Sequence, residues 1–240
     1  NYCNLATRTV VVTKEAELAY FSRKNIPRNK LHVLANTIDD KFLETSFQVD
    51  RPKDKLSFIY IGDTSERRGL MDIINAVAIL PQEVQKQITV RILGESSFQS
   101  QLQYQISQLD LDACIQLLGW NDYDGIHRHL QQSHVGLCPL HRNEHHDTTY
   151  ANKLFQYMAY GLALLVSDCN AQANLVVKEK CGRVHRAGAV NEIASIITWY
   201  SENRMALHQQ GKSGFAGLRK KHTLSSLQQS LKLLYDSVLN

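Results

Sequence analysis

The 240-residue chain lacks the features that mark several classes of protein. No apolar run approaches the ~18 residues of a membrane span, and the first residues have neither the basic lead nor the apolar core of a signal peptide. The five cysteines are an odd number without Cys-x-x-Cys spacing. They indicate buried thiols in a reducing, cytoplasmic compartment and no disulfide framework. No Gly-x-Gly-x-x-Gly follows the first buried strand, which argues against a dehydrogenase.

An excess of charge of one sign is also absent. The net charge is +4, and Lys and Arg are interspersed with acids, so the sequence carries no footprint for nucleic acid. A hydrophobic content of 43% and a charged content of 21% are ordinary for a globular protein in water. The length suffices for one large domain or two small ones with a proper core.

The chain does have a strict alternation of apolar strands with helical patterns, from Leu56 to His185. The strands are predicted at Leu56–Ile61, Ile88–Leu93, Ile115–Leu118, Val135–Leu140, Leu162–Ser167 and Gly182–His185. Such alternation predicts an α/β fold with a doubly wound, Rossmann-like parallel sheet of order 3-2-1-4-5-6. In these sheets ligands bind beyond the carboxyl ends of the strands.

The strongest candidate site is the segment Asp147–Gly161, which reads DTTYANKLFQYMAYG and runs from a polar loop into a helix. The first N–H groups of a helix are unpaired and the helix dipole is positive there, so the junction suits an anion. Asn152 and Lys153 stand at the start, and the candidate loop amides are those of Thr148, Thr149 and Tyr150. A cation is mildly unfavourable at this end of a helix, which favours an anionic ligand such as a nucleotide diphosphate. The alternative is a plain connecting loop with a surface lysine.

A second candidate loop, Gly62–Gly69, reads GDTSERRG and joins the first strand of the sheet to its helix. Gly62 permits close approach of a ligand to the backbone. Arg67 and Arg68 offer charge-assisted hydrogen bonds to phosphate. The alternative is a solvated turn with surface arginines.

These segments together resemble the retaining GT-B glycosyltransferases of the family-4 kind. Residues 151–161 (ANKLFQYMAYG) are similar to the family's PNKLFEYMAxG, and residues 33–39 (VLANTID) to the VxPNGxD that leads into its second domain. Four further short motifs are similar to motifs of the family and occur in the same order: IYIG at 59–62 with Arg68-Gly69-Leu70, VRILG at 90–94, LLGW at 117–120 and CGRV at 181–184. The resemblance covers about residues 30–240.

The resemblance implies the donor-binding half of a glycosyltransferase, with a UDP- or GDP-linked sugar as substrate, no other cofactor and no metal. Arg68 occupies the place of the family's basic residue before glycine. Asp63 stands where the family has its other basic residue, which removes one phosphate contact and leaves Arg67 as the candidate replacement. The resemblance places Gly94 and Trp120 beside the nucleotide base. The alternatives are a helix-capping turn at Gly94 and a partly buried aromatic side chain at Trp120.

The family's two glutamates, eight positions apart, fall on Thr148 and Gln156. The second glutamate binds the ribose and the first lies near the sugar. Gln156 can still hydrogen-bond a diol, but without the strength of a carboxylate. No catalytic residue is assigned, since the base is expected from the other half of the enzyme.

The resemblance also predicts the organisation of the chain. Residues 1–38 are the tail of an N-terminal domain or an interdomain segment, 39–55 a polar linker, and 56–240 the nucleotide-sugar domain with its C-terminal helices. The partner is then a missing N-terminal GT-B domain ahead of Asn1, and an association with membranes through that half stays open. The chain is therefore expected to be a truncated piece that transfers no sugar alone, with a poorly anchored segment at Thr9–Lys24.

Other readings stay open. A binding or structural module would explain the two missing glutamates, and a nucleotide-sugar epimerase would share the fold and the donor. The residues His141, Glu144, His145, His146 and Asp147 suggest a metal, but their spacing matches no zinc pattern, and an exposed, mobile loop is expected there. Asp110 and Asp112 are expected in a surface turn or cap.

Overall fold

The computed structural model describes residues 2–38, 43, 51 and 54–239. The strands in this part of the chain are β1 (Thr9–Val11), β2 (Leu31–Val33), β3 (Leu56–Ile61), β4 (Ile88–Leu93), β5 (Ile115–Gly119), β6 (Val135–Cys138), β7 (Ala163–Ser167) and β8 (Gly182–His185). The helices are α1 (Tyr2–Leu5), α2 (Lys14–Lys24), α3 (Leu70–Ala78), α4 (Gln82–Lys86), α5 (Gln99–Gln108), α6 (Tyr123–Gln131), α7 (Glu144–Thr148), α8 (Lys153–Ala159), α9 (Asn170–Glu179), α10 (Val190–Glu202), α11 (Arg204–Lys221) and α12 (Leu224–Leu239).

Six strands form one parallel sheet in the order β5-β4-β3-β6-β7-β8. Counted from β3, this is the predicted order 3-2-1-4-5-6, so the doubly wound α/β fold is confirmed. Strand β3 pairs with β4 along its whole length and with β6 on its other side. The chain reverses its direction of winding at β3, and a crevice at the carboxyl end of such a strand is where ligands bind.

Both faces of the sheet are covered, which explains the continuous apolar runs of its strands. All six residues of β3 are buried. Phe58 and Tyr60 join the core beneath α3, α5 and α10, whereas Ile59 and Ile61 join the core beneath α8 and α9. Neighbouring residues of one strand thus enter opposite cores, as the pleat of a strand requires.

The first two strands form a small parallel sheet of their own. A separate core of Val11, Ala16, Ile26 and Leu31 lies between this sheet and α2. The Thr13 side chain accepts a hydrogen bond from the Ala16 N–H at 2.9 Å, which caps α2, and its hydroxyl donates to the Thr148 carbonyl. The expectation that Thr9–Lys24 is poorly anchored therefore does not hold. The predicted linker, residues 39–55, lies outside the described residues except for Leu43, Arg51, Asp54 and Lys55.

The long helix α11 is one of the elements that the sequence pattern does not predict. Gly211, Gly214 and Gly217 lie within it, and glycine is unfavourable in a helix interior by about 1 kcal/mol. The structure shows why these glycines are there. A Cβ built at Gly211 would lie 2.0 Å from the Gly161 carbonyl oxygen, and one at Gly214 would lie 3.0 Å from the Cys181 Cβ. The missing side chains let α11 pack closely on α8, α9 and β7.

The structure also bears on the expectations for the cysteines and for membrane-spanning segments. Cys114, Cys138, Cys169 and Cys181 are buried and all five cysteines are free thiols. No helix in the described part of the chain is both long and apolar enough to cross a bilayer.

Candidate functional site

Bare backbone lies at the carboxyl ends of β3 and β4. Gly62 and Gly94 follow these strands and adopt φ values of 120° and 130°, a region that favours glycine. A Cβ built at Gly94 would lie 1.9 Å from the Gly62 carbonyl oxygen. The two loops therefore touch through their backbones, and Gly94, predicted as a ligand-lining residue, also holds the loop of Gly62 in place.

Lys153 is the first residue of α8, and its side chain extends to Gly62 at the end of β3. Its Nζ lies 3.6 Å from the centroid of the Tyr60 ring and 3.4 Å from the position of a Cβ built at Gly62. Burial, together with the nearby charge of Arg68, lowers the pKa of Lys153 to about 8, and the charges of Cys138 and Asp63 oppose the shift. The side chain thus brings a partly buried ammonium group to Gly62, as the two sequence motifs predict.

Tyr60 and Tyr157 support this arrangement, and sequence reasoning missed both. The Tyr60 hydroxyl donates to the Asp63 carbonyl at 2.6 Å. The Tyr157 hydroxyl accepts from the Ile61 N–H at 3.1 Å and donates to the Leu137 carbonyl at 3.3 Å. These bonds fix the ends of β3 and β6. Their signal in the sequence is weak, since buried aromatic side chains are common in any core.

Of the two arginines predicted to bind phosphate, Arg68 is held by the carboxylate of Asp63. Asp63 Oδ2 accepts from Arg68 Nε at 3.0 Å and from the Ser65 hydroxyl at 2.7 Å, and Oδ1 accepts from the Ser65 N–H at 3.0 Å. Partial burial raises the pKa of Asp63, but the bonds from Ser65 and Arg68 outweigh it and lower the pKa overall. Arg67 lies farther away, 4.0 Å from Asp63, with its side chain 60% exposed. Asp63, in the place of a basic residue of the family, therefore has two effects. It removes one cation that could contact phosphate, and its carboxylate binds the other, Arg68.

The loop side chains before α8 are turned to local partners. The hydroxyls of Thr148 and Thr149 donate to the carbonyls of Glu144 and His145, each at 2.7 Å. The Tyr150 ring packs edge-on against Phe155 and against His222 in the interior. The hydroxyl protons of both threonines are therefore used within this segment, and the Tyr150 ring packs against neighbouring aromatic rings. Asn152 is exposed and accepts from the Asn36 amide at 2.9 Å, so it lies at the rim beside Lys153.

The predicted ribose and base residues lie at two places. Gln156 is partly buried on α8, one turn after Lys153. Trp120 follows β5 and is 73% exposed, so the alternative of a partly buried aromatic side chain is wrong. The backbone N–H of Trp120 donates to Glu95 Oε1 at 2.9 Å. Sequence reasoning gave Glu95 no role, although it comes directly after Gly94, and the structure shows that it joins the ends of β4 and β5.

The turn after Gly94 is held by the side chain of Ser96. Ser96 Oγ accepts from the Phe98 N–H at 3.1 Å, which caps the turn before α5. The Thr64 hydroxyl donates to the same Oγ at 2.9 Å. Ser96 therefore caps the turn and ties it to the loop of Gly62.

The histidine-rich segment forms the short helix α7 where an exposed loop was expected. Asn143 caps α7 by accepting from the His146 N–H at 2.8 Å, and His146 is buried. His141 Nε2 pairs with Asp72 at 2.8 Å, and Asp147 pairs with Arg142 at 3.2 Å. These side chains point to separate partners. Among the described residues no three His, Cys, Asp or Glu side chains gather as a metal site requires.

Asp110 and Asp112 lie on the surface. Asp110 has a φ of 53° at the end of α5, and Asp112 accepts from the Gln103 amide at 3.1 Å. The expectation of a surface turn is confirmed for this pair.

Comparison with known proteins gives consistent matches. Residues 41–216 match the protein-family model described as glycosyl transferases group 1. The amylovoran biosynthesis glycosyltransferase AmsK of Erwinia amylovora is 24% identical over 177 residues, which are 73% of this chain and 43% of that protein. The structure of Anabaena HepE in complex with UDP aligns with a TM-score of 0.84 at 17% identity, over 98% of this chain and 65% of that chain.

A third match is a solved C-terminal domain of a glycosyl transferase group 1 family protein from Francisella tularensis. It aligns with a TM-score of 0.67 at 15% identity, over 78% of this chain and 99% of that chain. The chain thus spans 43% of the Erwinia relative and 65% of the Anabaena protein, less than two thirds of either.

Proposed function

Since the chain belongs to the group 1 glycosyltransferases, we propose that its six-stranded domain binds a nucleotide-sugar donor by its diphosphate at the carboxyl end of β3. The observation that carries this proposal is the convergence of Lys153, Gly62 and Arg68. An ammonium group, a glycine backbone and a guanidinium lie near one another at the carboxyl end of β3, where the sheet reverses its winding. Phosphate groups need such positive charge and close backbone approach.

The proposed chemistry is transfer of a sugar with a nucleoside diphosphate as leaving group. Negative charge develops on the diphosphate as the glycosidic bond breaks, and Lys153 and Arg68 can stabilise it electrostatically. We assign no metal and no cofactor besides the donor. The bound UDP of the Anabaena neighbour supports UDP as the nucleotide, with GDP as the alternative. Gln156 would hydrogen-bond the ribose as a neutral group.

The acceptor and the catalytic base are proposed to come from a further domain, because the chain spans only part of its relatives. Closure of two domains excludes water and completes such sites. We therefore expect this chain alone to transfer no sugar when it is incubated with nucleotide sugars and pooled acceptors and analysed by mass spectrometry. A glycosylated product at an enzymatic rate would show that the 240 residues suffice.

Binding itself is tested by calorimetric titration with UDP, GDP, ADP and CDP in the presence of a chelator. We expect UDP or GDP to bind without divalent metal, and Arg68→Ala to weaken that binding by about tenfold. A lost charge-assisted hydrogen bond is worth ~1.5–3 kcal/mol, about tenfold or more, and the competing bond to Asp63 keeps the effect at the lower limit. The matched control is Lys86→Ala, which removes an exposed charge paired with Glu83.

Two outcomes would contradict the proposal. One is that no nucleoside diphosphate binds the wild-type chain. The other is that Arg68→Ala and the Lys86→Ala control have the same affinity as the wild type.

One alternative function has an observation in its favour. Thr148 and Gln156 are neutral where the family carries glutamates, which suits a domain that binds a nucleotide sugar without transferring the sugar. Such a domain would pass the titration above, and the protein with all its domains would yield no glycosylated product.

A further inference from the structure

A carboxylate lies within the cluster of positive charges that the proposed function assigns to the diphosphate. Asp63 directly follows Gly62 and holds Arg68 through the 3.0 Å bond to Nε. It also lies within electrostatic reach of Lys153, whose pKa it raises. Asp63 therefore faces both cations that a diphosphate would need.

The ion pair is accessible to a ligand. The side chain of Asp63 is 37% exposed and that of Arg68 is 22% exposed, so a phosphate group can approach both from solvent. Arg68 then has two alternative partners, the carboxylate of its own loop and the phosphate oxygens of the donor. The Ser65 N–H and hydroxyl bonds hold the carboxylate in this loop, so it stays beside the ligand after Arg68 turns away.

The charge of the ligand decides how strongly this carboxylate acts. In a nucleotide sugar both phosphates are esterified at their ends, whereas the free nucleoside diphosphate has an additional ionisable oxygen on its terminal phosphate, which adds most of a negative charge at neutral pH. A fixed carboxylate repels the more highly charged species more strongly, because Coulomb energy scales with the product of the charges.

We propose, on the basis of the function proposed above, that Asp63 is a specificity-determining residue which competes with phosphate for Arg68 and weakens binding of the nucleoside diphosphate product more than that of the nucleotide-sugar donor. The residue reduces product inhibition at the expense of total affinity. It replaces a family cation by an anion, so the site exchanges tight binding for discrimination between donor and product.

The test compares Asp63→Asn and Glu66→Gln with the wild type. Each protein is titrated separately with UDP, UDP-glucose, GDP and GDP-glucose in the presence of a chelator. Asparagine keeps the shape of Asp63 and can still accept from the Ser65 N–H. Glu66 is an exposed carboxylate in the same loop, so its neutralisation controls for net charge. We expect Asp63→Asn to tighten binding of the diphosphate about tenfold and of the nucleotide sugar about threefold, against less than twofold for the control.

Each other result has a distinct meaning. Weaker binding in Asp63→Asn would overturn the inference, since the carboxylate would then position Arg68 for the ligand. Equal tightening of both ligands, or an effect no larger than that of Glu66→Gln, would also overturn it. If the titrations are repeated with Mg²⁺ in place of the chelator, binding that appears only then and is lost in Asp63→Asn would overturn the inference and identify Asp63 as a metal ligand. If the wild type and Asp63→Asn bind none of the four ligands, the proposed function itself is wrong, and the inference with it.

Discussion

Replacing Lys153 by methionine is expected to weaken binding of the nucleoside diphosphate ten- to hundredfold. The ammonium group lies 3.4 Å from the position of a Cβ built at Gly62, at the proposed diphosphate site. Loss of a charge-assisted hydrogen bond is worth ~1.5–3 kcal/mol, and ~1.4 kcal/mol is a factor of ten. Calorimetric titration of the wild type and of Lys153→Met measures the difference. Equal affinities would remove the case for this site.

The same lysine predicts how binding depends on pH. Burial lowers the pKa of Lys153 to about 8, so the free protein loses this charge as the pH rises through that value. Phosphate prefers the protonated form, so affinity is expected to fall between pH 7 and pH 9.5 in the wild type. The methionine variant has no such group and should show a flat profile over this range. A flat profile in the wild type would contradict the assignment.

Stability should change in the opposite direction to binding. The folded-state pKa of Lys153 lies below the ordinary value of 10.5, so the unfolded chain binds the proton more tightly. The charged side chain therefore destabilises the fold below pH 8, and this penalty disappears as the pH rises through the two values. The contact with the Tyr60 ring offsets part of it, by about 0.5–2 kcal/mol.

Lys153→Met is accordingly expected to raise the thermal midpoint at pH 7 by roughly 2–4 °C for each kcal/mol of net penalty removed. The control is Lys178→Met, which changes an exposed lysine and should leave both the midpoint and the affinity unchanged. A lower midpoint in Lys153→Met would show that its weaker binding comes from a damaged fold.

Features of the fold that depend on local sequence patterns are predictable from the sequence, whereas features that depend on contacts between distant residues are not. The order of the sheet is predictable because strands buried on both faces are mainly apolar, as β3 is apart from Ser57, and strand–helix alternation permits few topologies. Helix α11 is not predictable in the same way, since Gly211 and Gly214 lower the local preference for a helix. Their function, close contact with Gly161 and Cys181, involves residues far away in the chain.

The residues of the candidate site also differ in how far the sequence predicts their positions. Gly62 and Lys153 are predictable because a backbone conformation and a helix start are local properties, and the fold then brings them together. The ion pair of Asp63 with Arg68 depends on how one turn closes, and the interior position of the Tyr150 ring depends on Phe155 and His222. Residue types and spacing do not contain that information. The exposure of Trp120, which the sequence left open between two alternatives, depends on packing in the same way.

Gly94→Ala is expected to lower both stability and nucleotide affinity, because this glycine sets the distance between two loops of the site. Its φ of 130° is unfavourable for other residues, and the added Cβ would lie 1.9 Å from the Gly62 carbonyl oxygen. Backbone strain of about 1–3 kcal/mol adds to overpacking of about 1–3 kcal/mol. The thermal midpoint should fall by roughly 5–15 °C.

Binding should weaken in Gly94→Ala for a geometric reason, since relief of the clash requires the loop of Gly62 to move away from Lys153. A displacement of about 1 Å at a binding site can reduce function by a factor of about 100. Gly188→Ala is the matched control, because Gly188 also has a positive φ, of 76°, but nothing lies within 4 Å of the added Cβ. It should show the effect of backbone strain alone, with unchanged nucleotide affinity. If calorimetry and thermal unfolding find the two alanine variants alike, contact between the loops of Gly62 and Gly94 does not shape the phosphate site.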